Sequence, residues 1–499
     1  AAGTTGNVLT SDGTNWTSVS APSSSPSYSA VASGAIANGA KVIVNSAGTV
    51  SSVLETQGSP VLSAEATATS TDASGSACAY HKVEKQTAVF YRNPSNSNYL
   101  MGVVGTANSS ATGGVAWGTP QIVGTTGVYG VLQATYCDSQ GCIALLFLDN
   151  SGHMAITAFN ISSGVLSGGT SVAAGTQVQP CMTYDTTQGQ LIVGYWQAYP
   201  YYGYVRTVTL SGTTVTWNTA LLISQQYSAS PAVSYDPVRN MGLFMLYNGQ
   251  NGQSWCYSFT ISGTTLTYTG YGKSSPMGAA FQKPPAFIYD PVSGNHIAFA
   301  SMSGGTGKAV ALYLNSNNSG EVLSGSVYQW TSASVNWVRA AYVTAAGKFV
   351  IAYSDSSNSD LYTIIASASG TVVSFTGLIQ TSASLDQYNE LDVCAWDSLK
   401  TALVTYDETS AGQFSRTYSP ISFSTTLTAS NYIGISDAAY ANGDTATVQL
   451  VGSVDDAQTS LTAGQAYYVQ GNGTLANSAD TIAVFAGTAV SATKLIVKG

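Results

Sequence analysis

Short apolar stretches alternate with turn signals along most of this chain, and they recur with a period. An apolar strand ends in an aromatic residue, often followed by Asp. A turn comes next, then a second apolar strand that usually ends in Tyr. The unit reads ACAYHKVEKQTAVFY around Tyr80, QATYCDSQGCIALLF around Tyr136, CMTYDTTQGQLIVGY around Tyr184 and AVSYDPVRNMGLFMLY around Tyr235. It returns as AFIYDPVSGNHIAFA at Tyr289, RAAYVTAAGKFVIAY at Tyr342 and VCAWDSLKTALVTY at Trp396. These seven copies lie between 48 and 56 residues apart.

Each anchor leads into a third strand and usually a fourth, as in YVRTVTLSG with TTVTWNTALLIS and WCYSFTISG with TTLTYTGYG. The Ser-Gly between them is hairpin chemistry, because Gly takes positive φ without a Cβ clash. In the Tyr-Asp-Pro turns, Asp can bond the backbone two residues on and Pro presets φ. Four short strands in a repeat of this length match a propeller blade. One blade cannot bury both faces alone, whereas seven around an axis can. The predicted fold is therefore all-β, a seven-bladed β-propeller with small flanking β modules. A β-sandwich is the alternative, but it does not predict seven matching anchors. The seventh copy weakens after GQFSRTYSPI, so a strand from about residues 50–70 is expected to complete a blade there.

The flanks read differently. Residues 1–27, rich in Gly, Thr and Ser, are expected to form an extended connector. Residues 28–60 hold two short strands with turns at Asn38-Gly39 and Ala47-Gly48, a piece too small to fold alone. It is expected to pack with a C-terminal β module at 423–499, which has turns at Asn442-Gly443 and Asn472-Gly473. The propeller is assigned to 61–422.

Composition narrows the functional classes. Charged residues are only 8% of the chain and the net charge is −9, against about 25% charged in an ordinary soluble protein. No basic patch is visible, so nucleic acid is not expected as a partner. No run approaches 18 apolar residues, so no membrane insertion is expected. No signal peptide is visible, and a chain starting at Ala1 is expected to be processed or a fragment of something longer. The six cysteines do not form a disulfide framework. Cys137 and Cys142 could bridge a hairpin, whereas Cys78, Cys181 and Cys394 read as free buried thiols.

The two ends carry a resemblance. The opening GTTGNVLTSDGTNWTS resembles a segment common in phage tail-fibre and virion proteins. The ending, from GISDAAYANGDTATVQL to TKLIVKG, resembles a C-terminal module of phage virion proteins that follows Tyr-Asp-Pro propeller repeats. The resemblance implies a virion structural protein and brings no catalytic motif. Its expected partners are a host cell-surface glycan or protein and other virion proteins. A homo-oligomer is expected, trimers being common among fibre proteins.

Candidate chemistry is sparse. Ser11-Asp12-Gly13-Thr14-Asn15-Trp16 approaches a sialidase turn but has the wrong spacing. The five arginines, Arg92, Arg206, Arg239, Arg339 and Arg416, occupy different strand positions. Glycoside hydrolysis needs two carboxylates at fixed separation. Asp355, Asp360, Asp386, Glu390, Asp407 and Glu408 are available, and none is placed opposite another by sequence. His81, His153 and His296 lack metal-ligand spacing. Asp355, Asn358 and Asp360 could hold Ca²⁺, although an ordinary polar loop is the simpler reading. His81 stands where other repeats have Asp and reads as a turn residue.

Binding is expected where the repeat varies most, in the loop between second and third strands, since loops on a rigid scaffold carry function. The third copy is the most unusual: Trp196, Tyr199, Tyr201, Tyr202 and Tyr204 are five aromatics within nine residues. Exposed aromatics stack on sugar rings, and Tyr adds a hydroxyl. The alternative for this loop is packing on a neighbouring blade or subunit. Together with Asp355 and Asp360, these aromatics are the candidate receptor-binding residues. The functional expectation is a non-enzymatic, cofactor-free virion protein, a tail fibre or receptor-binding protein located on the particle. The alternatives are an architectural capsid decoration or head fibre and, more weakly, an enzyme degrading surface polysaccharide.

Overall fold

The computed structural model describes the chain apart from residues 1–6, 12, 15, 21–24, 108–113, 177, 198, 282, 316–319, 384, 386–390, 397–399, 409–411, 421, 480, 481, 483 and 499. It divides into two compact units: Ser59–Ser422, and Ala1–Gly58 together with Phe423–Gly499.

In the larger unit seven antiparallel blades follow one another, blades 1 and 2 being joined in one nine-stranded sheet, and strands within a blade pair in chain order apart from the outer edge of blade 7. Blade 1 consists of Ser74–His81, Gln86–Asn93 and Tyr99–Ala107, with an outer edge split between Val115–Trp117 and the start of Gln121–Cys137. That 17-residue strand then becomes the first strand of blade 2. Blade 3 is Val178–Asp185, Gln190–Trp196, Gly203–Ser211 and Thr214–Ser224. Blade 4 is Ser228–Asp236, Met241–Asn248, Gln253–Ser262 and Thr265–Ser274. Blades 5 and 6 start at Ala286–Asp290 and Val335–Val343. Blade 7 starts at Asp392–Trp396, beside the first strand of blade 1, which closes the ring. The all-β, seven-bladed expectation is borne out.

The second strands show why the ring forms. Cys142–Asp149 is an almost unbroken apolar run, unlike a strand with one wet face. Its side chains alternate between two cores. Ile143, Leu145 and Phe147 pack with blade 1, whereas Cys142, Ala144, Leu146 and Leu148 pack with blade 3. The same split recurs in blade 4, where Phe244 and Leu246 face blade 3 while Leu243 and Met245 face blade 5. Among the described residues, one apolar cluster spans each blade–blade junction, including blade 7 with blade 1. Removing one such buried Leu or Phe costs about 2–5 kcal/mol.

Polar groups stitch the same junctions. The Gln190 amide donates to Gly263 O of the next blade at 2.7 Å, and Asn295 donates to Gly370 O at 2.7 Å. Gly263 and Gly370 sit in the Ser-Gly hairpins at φ +57°. The Tyr-Asp turns close as expected: buried Asp236 accepts the Val238 and Arg239 amides, and Asp185 accepts those of Thr187 and Gln188. His81 does the same work in blade 1. Its Nδ1 accepts the Glu84 amide and its Nε2 donates to Gly141 O at 2.9 Å, the pattern of a neutral, Nε2-protonated ring.

Closure uses a strand from before blade 1. Val61–Leu62 and Ala66–Thr69 pair with Gly412–Ser419, the third strand of blade 7, and supply its outer edge. The strand expected near residues 50–70 thus lies at 61–69. Tyr406 donates to the Glu65 carboxylate at 2.6 Å, and Arg416 lies 3.5 Å from the same oxygen. Across the seam, Gln413 Nε2 donates to Ser76 Oγ, which donates to Thr405 Oγ1.

The smaller unit holds two five-stranded sheets and an N-terminal hairpin. Ser27–Val31 and Lys41–Val44 pair with Thr445–Gln449 and Tyr432–Ser436. The second sheet is built from Val454–Asp455, Leu495–Val497, Val484–Ala489, Ala466–Val469 and Leu475–Ala476. Ile43 and Ile435 share a core with Val469, Ala486 and Leu495. Residues 1–27 are not wholly an extended connector, because Asn7–Ser11 pairs with Trp16–Ser20. Gly13, at φ +93°, supplies the turn between them.

Two outcomes are expected from this fold. A Cβ on Gly412, at φ +124°, would lie 2.1 Å from the Thr69 carbonyl oxygen. Gly412→Ala should therefore destabilise the propeller by about 2–4 kcal/mol, read from denaturant unfolding. His296, fully buried with Nδ1 against Ser234 Oγ at 2.8 Å, is held by burial at a pKa of about 4 despite nearby Asp236. Its folded pKa lies below the unfolded value near 6.5, so the unfolded state binds the extra proton. Stability should be complete above pH 6.5 and fall by about 3 kcal/mol toward pH 4. His296→Gln should remove that part of the slope, and an unchanged slope would refute the assignment.

Candidate functional site

In each blade the loop between second and third strands lies at the end where the chain also crosses to the next blade. These segments form one face of the propeller, the loop face. The opposite end carries the tight Tyr-Asp and Ser-Gly turns.

In blade 3 the second strand ends at Trp196 and the third begins at Gly203. The Gln197 amide donates to Tyr202 O at 3.1 Å and closes the loop between them. Tyr199–Pro200 is a cis peptide, and Tyr201 has φ +70°, a conformation uncommon for a bulky residue. Tyr201 lies at the centre of an aromatic cluster. Its ring lies 5.6 Å from Trp196, 6.3 Å from Tyr199 and 4.7 Å from Tyr227. Tyr199 is 82% exposed and Tyr227 40%.

Tyr227 was not among the sequence candidates. It comes from the link between blades 3 and 4, and the Ser228 amide donates to Tyr201 O at 2.8 Å. Its ring covers Gly249 in the next blade's loop, where a Cβ would meet ring carbon Cδ1 at 2.2 Å. The available signal was topological: the Gln-Gln-Tyr link must emerge on the same face as the blade 3 loop.

The sequence candidates separate. Trp196, Tyr199 and Tyr201 come together. Tyr202 closes the loop through its backbone and is half-buried. Tyr204 belongs to the third strand, where it pairs with Tyr195, stacks on it at 5.5 Å and packs against the core between blades 2 and 3. Burial pushes the Tyr195 phenol up. Asp355 and Asp360 lie far along the ring, in the blade 6 loop. Both are buried. Asp355 accepts the Ser357 amide at 2.9 Å and its hydroxyl at 2.6 Å. Asp360 accepts Asn358 Nδ2 at 2.6 Å and the Tyr362 hydroxyl at 3.1 Å. One oxygen of each carboxylate is thus engaged by donors of the same loop, and neither residue joins the aromatic cluster. Among the described residues no cluster of His, Cys, Asp or Glu could hold a metal ion.

The segments that carry the cluster are uncharged. Residues 186–205, 207–235 and 240–272 contain no Asp, Glu, Lys or Arg. Gln179 Oε1 accepts the Trp196 indole N–H at 3.4 Å and the Ser230 amide at 3.2 Å. Asn248 donates to Gln226 beside Tyr227. A second feature is the channel along the ring axis, a cavity of about 500 Å³ lined by first strands of all seven blades. Asp392 is the one carboxylate among its described lining residues, and it accepts the Cys78 amide at 2.8 Å. Of the remaining acidic candidates, Asp407 is fully buried and Glu408 accepts Ser382 Oγ. Asp386, Glu390, Asp12 and Asn15 lie outside the described residues. All six cysteines are free and buried, and Cys137 and Cys142 are register partners across their hairpin.

No family model matches the sequence, and no curated protein matches it. Among solved structures, the chain is similar to the Cps50 (Swd1) β-propeller domain of Myceliophteria thermophila, at 9% identity and TM-score 0.47, covering 72% of this chain and 99% of that one. It is also similar to AofleA from Arthrobotrys oligospora, at 9% identity and TM-score 0.43, covering 70% and 95%. The Dos1 propeller aligns at 10% identity and TM-score 0.41, covering 72% and 96%.

Asp355→Ala is expected to cost about 1–3 kcal/mol, because two donors in the blade 6 loop lose their acceptor. Millimolar Ca²⁺ should leave the wild-type unfolding midpoint unchanged. A calcium-dependent rise abolished by Asp355→Ala would contradict the structural role.

Proposed function

We propose that this chain is a structural protein of a bacteriophage particle that attaches to the host cell surface through the loop face of its propeller. The observation that carries this reading is the cluster of Trp196, Tyr199, Tyr201 and Tyr227, whose outer rings stand in solvent on a rigid frame. Solvent-facing aromatics in a group, beside polar amides, are the composition of a recognition surface. The terminal segments that resemble phage virion modules supply the particle context.

In this reading the chain binds without turning over a substrate and needs no cofactor. Its backbone elsewhere is spent on turns and strand ladders, and its few charges are mostly placed within them. Host-surface glycan or protein is the partner on the loop face, and other virion proteins or further copies of the chain are its partners on the particle.

Immunogold labelling of purified particles, combined with adsorption of the purified chain to susceptible cells, tests the proposal. Label at the tail or another host-facing position and saturable adsorption are expected. Replacing Tyr199, Tyr201 and Tyr227 together with Ala should lower adsorption at least tenfold. Absence of the chain from particles, or no adsorption by the folded chain, would refute it.

A further inference from the structure

Resting on that reading, we infer that the aromatic cluster at the junction of blades 3 and 4 takes an uncharged saccharide, with one pyranose face stacked on the solvent-facing side of the Tyr227 ring and Tyr199 as the outer wall. Three observations on the loop face converge on this ligand class.

The first is ring geometry. Tyr201 and Tyr227 come from different blades, yet their centroids are 4.7 Å apart and inclined by 37°. Trp196 continues the patch at 5.6 Å from Tyr201. At these separations the rings pack against one another, so the aromatic surface left for a sugar's C–H face is that of the outer rings, Tyr227 and Tyr199. Tyr199 stands edge-on to Tyr201, at 75°, and is 82% exposed. A side chain left this far out in water has the freedom to fold over a ligand.

The second is how Tyr227 is held. Its ring occupies the space of the missing Gly249 side chain, and the Gly249 amide donates to Tyr227 O at 3.0 Å. The platform is thus seated before any ligand arrives, which lowers the ordering cost of binding. Trp196 is likewise oriented by the bond from its indole to Gln179.

The third is the lining chemistry. Gln197, Gln226 and Gln250 lie on the segments around the rings, with phenol hydroxyls among them. These groups donate and accept, which suits neutral hydroxyls. The three segments that build the site carry no charged residue. An acidic glycan would find no cation to pair with there and would lose hydration of its carboxylates. Protein hot spots join Tyr and Trp with Arg, and these segments offer amides and Gly at the surface with no Arg among them. A protein receptor is therefore an outcome of the test and not the proposal.

The experiment uses the full chain on an array of immobilised neutral oligosaccharides (glucan, mannan and galactan fragments) beside acidic ones (polygalacturonate and sialylated chains). Susceptible cells are assayed in parallel. Retention on at least one neutral glycan is expected, with Trp fluorescence changing on binding because Trp196 borders the platform. Tyr199→Ala and Tyr227→Ala should each weaken it tenfold or more, whereas Tyr201→Phe should keep it within about threefold. Circular dichroism and unfolding midpoints verify that each variant is folded. Binding confined to acidic glycans, no glycan binding, or neutral-glycan binding indifferent to both Ala variants would overturn the inference. Cell adsorption that persists in those cases leaves host attachment standing with a protein receptor. Absence of cell adsorption as well refutes the attachment reading itself.

Discussion

The structure depends on one constraint: every blade is apolar on both faces, so no blade can be last. Phe244 and Leu243 are neighbours in one strand and belong to different cores. A linear stack of such sheets would leave two apolar faces in water, and only a closed ring leaves none. The burden falls on the seam between blades 7 and 1. There Trp396 and Leu403 meet Cys78, Val89 and Val103, and Ala68 of the closing strand joins the same core. Polar groups share the load, with Trp117 Nε1 of blade 1 donating to Ser415 Oγ of blade 7 at 3.0 Å. Chain ends distant in sequence are thereby held by apolar burial and by a β-ladder together.

A closed ring also explains why recognition can sit on short loops. The blade 3 loop has few internal bonds of its own, but both of its ends are strands buried in interblade cores. The adjoining blade 4 loop and the link carrying Tyr227 are fixed in the same way. An aromatic site built across two blades is as rigid as the junction beneath it. The near absence of charge fits this arrangement. Each blade buries most of its polar backbone in ladders, and Asp185, Asp236 and Asp290 close turns with buried carboxylates.

Much of this was legible in the residues. The seven aromatic anchors are visible because each marks the end of a first strand, and the second strands read as continuous apolar runs because both faces are covered. Gly212, Gly263 and Gly370 announced the outer hairpins through the positive φ each requires. The site was legible only in part. Counting aromatics gathered Tyr204 with its neighbours, but strand register turns Tyr204 inward against Tyr195. Tyr227 stands well along the chain from the loop and is brought to it by blade packing, which no local pattern encodes. Asp355 and Asp360 looked available because they border a polar loop. Their carboxylates face that loop's own donors instead, a choice made by turn geometry. The hairpin at Asn7–Ser11 and Trp16–Ser20 escaped notice because its strands are short and mostly polar.

Ring closure by the strand at residues 61–69 is the claim on which the rest stands, and native-state hydrogen exchange reads it directly. The backbone amides of Ala66–Thr69 and of Gly412–Ser419 are ladder partners and should open as one unit, with protection approaching that of the central strands. Fast exchange at Ala66–Thr69 alongside slow exchange at Gly412–Ser419 would show a ring completed some other way and would contradict the account.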